Sequence, residues 1–194
     1  DSIPPTSPAP PADTAGAAQA IAAPTGPASP ADPPAEHGAD GHEGPVPNTP
    51  AELHAALERA NPAYNGEAEF KVHRGRITEA SLTKCGIVDL APLRGLPITR
   101  IKIAESDLTD ISPLKGLPLE RLTLYAYKVT DFSALRGMQL KSLSLHACPE
   151  FDPAILEGMP LTSAQFSGRW MDDLTPLEGK PMRSLRIEYT AVLD

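Results

Sequence analysis

Five aspartates recur at one interval in this chain: Asp89, Asp110, Asp131, Asp152 and Asp173 follow each other 21 residues apart. Carboxylates at such a spacing suit two kinds of chemistry. They can build a ladder of cation sites, or each can accept the free amides of a turn or helix start. Calcium-binding solenoids surround each ligand with a G-G-x-G-x-D pattern, and those glycines are missing here, so the turn role is expected. A second group, Glu36, His37, Asp40, His42 and Glu43, has metal-ligand chemistry but no helix or strand to pre-form a site, and reads as a solvated linker. His54 on the polar side of a first helix, His73 in a turn and His146 on a strand share no ligand spacing. No nucleophile elbow, zinc motif or phosphate loop occurs. The expectation is a chain without catalytic residues, metal or other cofactor, and not an enzyme.

Charge and composition divide the 194 residues in two. The net charge is -8, yet residues 1–50 alone hold six acids, no Lys or Arg, no aromatic side chain and 13 of the 23 prolines. Such a stretch has too little apolar bulk to offset the entropy of ordering, and its prolines favour extended geometry. It reads as a Pro/Ala-rich acidic linker or arm over 1–48. The rest, 51–194, carries 17 basic and 19 acidic residues. That near-neutral balance lacks the basic footprint of a general nucleic-acid binder. No apolar run approaches the length of a membrane span. The first residue is Asp1 rather than Met, so removal of a preceding segment, such as a signal peptide, is expected.

Elements begin at Thr49. Thr49, Pro50, Ala51 and Glu52 form a capping box with proline at the first helical position. Leu53, Ala56, Leu57 and Ala60 then give one apolar stripe, and Asn61-Pro62 stops the helix. Ala68, Phe70 and Val72 alternate with charged residues up to a turn at His73-Arg74-Gly75. This predicts a hairpin arm pairing with a strand that starts near Ile77, and completes a cap over 49–76.

From Ile77 the chain repeats every 21 residues without a gap: five full units begin at Ile77, Ile98, Leu119, Leu140 and Leu161, and a partial sixth begins at Met182. The nineteenth column is glycine five times: Gly95, Gly116, Gly137, Gly158 and Gly179. Such a period marks a solenoid in which each unit buries its apolar face on its neighbours. The pattern L-x-x-L-x-L resembles a leucine-rich repeat, and the D-[LI]-x-P-L-x-G-[LM]-P tail resembles the short repeats of bacterial internalin-like proteins. The helix, the NPAYNG segment and the hairpin look like the cap that precedes such repeats. The fold this implies is an α/β leucine-rich-repeat solenoid over 77–194 with a parallel sheet on its concave face. The resemblance also implies an extracytoplasmic bacterial setting. No kinase signature is present.

Register sorts the remaining residues. Columns four and six point inward, so columns three, five and seven face out along the sheet. This gathers a basic cluster of Arg100, Lys102 and Arg121 and a small-residue zone of Ser142, Ser144, Ser163 and Ser167. Tyr125 and His146 lie between them, with Trp170 and Tyr189 on the adjoining loop edge. Arg and aromatic residues on a rigid sheet are the usual material of interface hot spots, although a solvated strand face is the plain alternative. Trp170 is divided between partner contact and packing over the irregular fourth unit. Column nine holds Cys85, Ser106, Tyr127, Cys148, Arg169 and Thr190. Small polar residues there normally turn inward to bond turn backbone groups, so Tyr127 and Arg169 must rearrange the loop or swing out. Cys85 and Cys148 stand three units apart, about 14 Å by strand spacing, too far for a disulfide. The fourth unit reads CPEFDPAIL where others have the regular tail, which predicts an altered turn around Pro149 to Pro153.

The functional expectation is a non-catalytic module that binds a protein partner through the concave sheet, at Arg100, Lys102, Arg121, Tyr125, His146, Trp170 and Tyr189. One alternative is an accessory subunit of a larger extracytoplasmic assembly, with the arm wrapping neighbours and the end of the repeats docked. Another is carbohydrate binding at the cell surface through Tyr125, Trp170 and Tyr189. A further one has the acidic arm masking the basic cluster.

Overall fold

The computed structural model describes residues 46–168 and 174–188. Expectations for the arm before Val46 and for Arg169, Trp170, Asp173, Tyr189 and Thr190 lie outside these residues.

Helix α1 spans Pro50–Ala60 and starts as its sequence dictates. Glu52 donates its amide to Thr49 Oγ1 at 3.2 Å, and its carboxylate accepts the Thr49 amide, so two otherwise free donors are satisfied reciprocally. Leu53, Ala56 and Leu57 form its buried stripe. His54 is not on a solvated face: its Nδ1 lies 2.6 Å from the Tyr64 hydroxyl, and its ring meets Phe70 edge-on at 4.9 Å. The aromatic side chains of the cap close over that flank of the helix.

Seven strands follow in one sheet: β1 Glu69–His73, β2 Arg76–Thr83, β3 Arg100–Ala104, β4 Arg121–Tyr125, β5 Ser142–His146, β6 Ser163–Ser167 and β7 Ser184–Glu188. They lie side by side in chain order. β1 and β2 are antiparallel, and every later pair is parallel. The architecture is therefore α/β, with a mostly parallel, solenoid-like sheet and one α-helix. Wherever β2–β7 pair, the partners are 21 positions apart, as Glu79 with Arg100 and Arg121 with Ser142. Equivalent side chains thus stack in rows across the strands. β1 breaks this regularity. Its register shifts between Lys71 and Val72, and Val72, next to the hairpin turn, is 49% exposed, against the expected alternation.

The return path of each unit is a short 3-10 turn: Ala91–Leu93, Ser112–Leu114, Ser133–Leu135, Pro153–Leu156 and Thr175–Leu177. The column-thirteen aspartates set these turns. Asp89, Asp110, Asp131 and Asp152 each accept the amide two residues ahead at 2.7–2.9 Å. The column-nineteen glycines then leave the turn at φ of 70–80°, where a Cβ would be strained. Leucines of the turns and the inward residues of the strands form one core, with Leu82, Ile103, Leu124 and Leu145 fully buried. The fourth unit differs as its sequence predicts. Its turn starts one residue early, at Pro153, and runs four residues, while Asp152 keeps its amide bond.

Column nine shows two loop solutions. Lys84, Glu105 and Ala147 have φ of 57°, 52° and 52°, and the next residues, Cys85, Ser106 and Cys148, are buried. In the third unit no positive φ occurs at Ala126, which is itself buried, and Tyr127 swings out to 55% exposure. The phenol could not fit the inward pocket, so the loop gives its methyl neighbour to the core. The two thiols are free, and each donates weakly to a carbonyl, Thr83 at 3.1 Å and His146 at 3.2 Å. Burial raises both thiol pKa values, that of Cys148 to about 12, so neither is a thiolate at neutral pH. Ser106 departs from the expected bonding: its hydroxyl is buried without a partner. A buried hydroxyl left unpaired costs on the order of 1 kcal/mol, so Ser106→Ala is expected to raise stability by about that amount in urea denaturation. A loss of stability would mean that the hydroxyl is bonded after all.

The cap docks on the first unit through two asparagine side chains and one close backbone contact. Asn61, fully buried, accepts the amides of Val88 and Asp89 at 2.8 and 2.7 Å and donates to the carbonyls of Leu57 and Asp89 at 3.0 and 3.1 Å. Beside it the Ala63 backbone lies against Gly86, where a Cβ would stand 2.1 Å from the Ala63 carbonyl oxygen. Asn65 adds a third tie by donating to the Lys84 carbonyl at 2.9 Å.

Candidate binding face of the sheet

Alternation along five-residue strands decides which side chains are free. Columns four and six are buried from β2 to β6, and columns three and five are at least partly exposed on the opposite face. Column seven opens only part-way. Thr83 is half-buried with its hydroxyl covered and unpartnered, Ala104 is 5% exposed, and Tyr125 is exposed.

Two depressions run along this face. The first, about 400 Å³, is lined by Glu69, Lys71, Glu79, Arg100, Lys102 and Arg121 among others. The second, about 530 Å³, shares Arg100, Arg121 and Thr123 with it and continues over Ser142, Ser144 and Ser163. The structure thus brings together the basic cluster and most of the small-residue zone read from the sequence. It also divides the cluster. Arg100 is paired with Glu79 at 3.0 Å, and Glu79 is held from its other side by Lys71 at 3.0 Å. These two cations, Lys71 first, keep the Glu79 carboxyl below its usual pKa. Lys102 and Arg121 have no ion-pair partner among the described residues. Lys71 was missed in the sequence because it lies before the repeats. The signal was the hairpin, whose register sets Lys71 opposite Glu79.

Tyr125 and His146 are directly paired across β4 and β5, and their rings stack at 4.2 Å with an 11° angle between planes. Burial against this face lowers the His146 pKa, and Glu188 on β7 opposes the shift. Neutral imidazole is therefore favoured in the fold. Because the folded pKa lies below the unfolded value near 6.5, this contribution to stability is complete above that value and is lost as pH falls through the folded pKa. The melting temperature is expected to drop between about pH 7 and pH 5. His146→Gln should flatten that limb of the profile, and an unchanged slope in the variant would assign it to other groups.

Trp170 and Tyr189, and with them the expected row of three rings, lie outside the described residues. At the strand ends a separate exposed cluster forms where Tyr127 swings out: its hydroxyl and Lys128 both donate to Asp107. These donors, Lys128 first, hold the Asp107 carboxyl below its usual pKa. Among the described residues no three His, Cys, Asp or Glu side chains are arranged as metal ligands, and no helix is long and apolar enough to cross a membrane. Comparison of the chain with protein-family models, with characterised proteins and with solved structures finds no match.

Proposed function

We propose that this chain is a leucine-rich-repeat-type solenoid that binds a protein partner, without catalysis, through the outward face of its sheet. The carrying observation is the contrast between the two faces. Inward rows are filled by apolar side chains, whereas Lys102, Arg121 and Tyr125 stand exposed over rigid, paired strands and line or border continuous depressions. A backbone held in a sheet loses little further freedom on binding, which favours a preorganised interface. The repeat pattern, with its fixed 21-residue offset, supports the solenoid reading and, by resemblance, an extracytoplasmic setting. The partner is a protein on this reading because the depressions are shallow and shared across strands rather than enclosed around a small molecule.

A photo-crosslinker tests this. Placed at Thr123 in the full chain and exposed to extract from its source, it is expected to trap a protein, and Arg121→Glu should cut the yield about tenfold. The same crosslinker at Lys115, among the return turns, should trap little. Crosslinks concentrated at Lys115, or a glycan trapped at Thr123, would overturn the reading.

A further inference from the structure

Among the described residues Lys102 and Arg121 have no ion-pair partner, in a chain whose net charge is -8. The larger setting has the same sign. The first depression is lined by four basic and two acidic side chains, and the second by three basic and one acidic. Arg121 is also directly paired with Arg100 across β3 and β4. Like charges facing each other on a sheet destabilise it. Glu79 answers Arg100, and nothing among the described residues answers Arg121.

The geometry points to an extended acidic peptide as the occupant, with carboxylates on alternate residues. Resting on the proposed binding face, this inference narrows the partner to one chemistry. Lys102 sits one strand across and two residues along from Arg121, because its register partner is Thr123. With strands about 4.8 Å apart and a rise of about 3.3 Å per residue, the two attachment points are roughly 8 Å apart. Side chains on one face of an extended peptide repeat every two residues, about 7 Å, so carboxylates at alternate positions meet both cations without bending the chain. Next to Arg121 in row three stands Ser142, whose small side chain leaves room beside a peptide backbone. A compact phosphate fits less well. The amides of β2–β6 are spent in the parallel ladder, so no backbone donors converge beneath the cations as they do in a phosphate cradle.

Two labelled heptapeptides test it by fluorescence anisotropy at low salt, where exposed ion pairs are least screened. One alternates glutamate with serine; the other has the same composition with its glutamates consecutive. The intact chain is expected to bind the alternating peptide at least fivefold more tightly. Lys102→Ser with Arg121→Ser, which copies the serines of neighbouring rows and spares the core, should weaken binding tenfold or more with the melting temperature kept. Equal binding of both peptides, displacement by inorganic phosphate at matching concentration, or undiminished binding by the double variant would each overturn the inference. Should neither peptide bind while Thr123 still crosslinks to protein, the acidic-segment inference falls and the binding face stands. Should the crosslink be absent too, both fall.

Discussion

Asn61→Ala is expected to cost about 3 kcal/mol of stability, among the largest effects of any polar substitution in the chain. The side chain is fully buried and makes four hydrogen bonds, two as acceptor and two as donor. Alanine leaves the Val88 and Asp89 amides and the Asp89 carbonyl without their partner. The Leu57 carbonyl is spared, since it still accepts the Asn61 backbone amide at 2.8 Å. Each deserted group costs about 1–3 kcal/mol, and water reaches the exposed loop around Val88 well enough to hold the total near the lower bound. Urea denaturation reads the change. A loss under about 1 kcal/mol would mean that the cap is not coupled to the repeats through this residue. Hydrogen exchange adds the location: amides of α1 and of the loop through Asp89 should exchange faster, while β5 and β6 stay protected.

Gly86→Ala attacks the same junction by steric means and is expected to cost about 3 kcal/mol. A Cβ would lie 2.1 Å from the Ala63 carbonyl oxygen and 2.7 Å from its carbon. Both are backbone atoms, so relief requires the whole Asn61–Gly66 segment to back away from the first unit. The φ of +66° adds a conformational penalty of about 1 kcal/mol. Gly116→Ala is the control. Its φ is +80°, but nothing lies within 4 Å of the added carbon, so only the conformational penalty applies. Similar losses at the two positions would show that the Ala63 contact is soft. Because Asn61 and Gly86 secure one interface, the double variant should lose less than the sum of the two.

The rows of the sheet were legible in the sequence because a gapless period fixes them. Once Ile77, Ile98 and Leu119 are aligned, the pairing of Arg100 with Arg121 and of Tyr125 with His146 follows, and so does the amide-accepting role of Asp89 and its repeats. Tyr127 was also legible, since a phenol exceeds the space that serves Cys85 and Cys148. What stood outside the period was hidden. Asn61 reads locally as a helix stop, yet its partners lie 27 and 28 residues away, and no pattern announces a bond used once. Gly86 likewise gives no sign of its role until Ala63 is placed against it. The division of the basic cluster was missed for a related reason. Arg100 and Arg121 are equivalent by column, but only Arg100 neighbours Glu79, itself held by Lys71 from a strand that precedes the repeats.

The antiparallel strand β1 governs how this protein behaves in a crowd. A parallel sheet of regular units presents, at an uncovered edge, a template on which other molecules can add strand by strand into fibres. At the β2 edge that position is taken by a strand running the other way. Its Glu69, Lys71 and His73 are exposed, and its ladder is dislocated between Lys71 and Val72. An incoming strand would meet charge and a broken register, so polymerisation from this side is blocked by the protein's own chain.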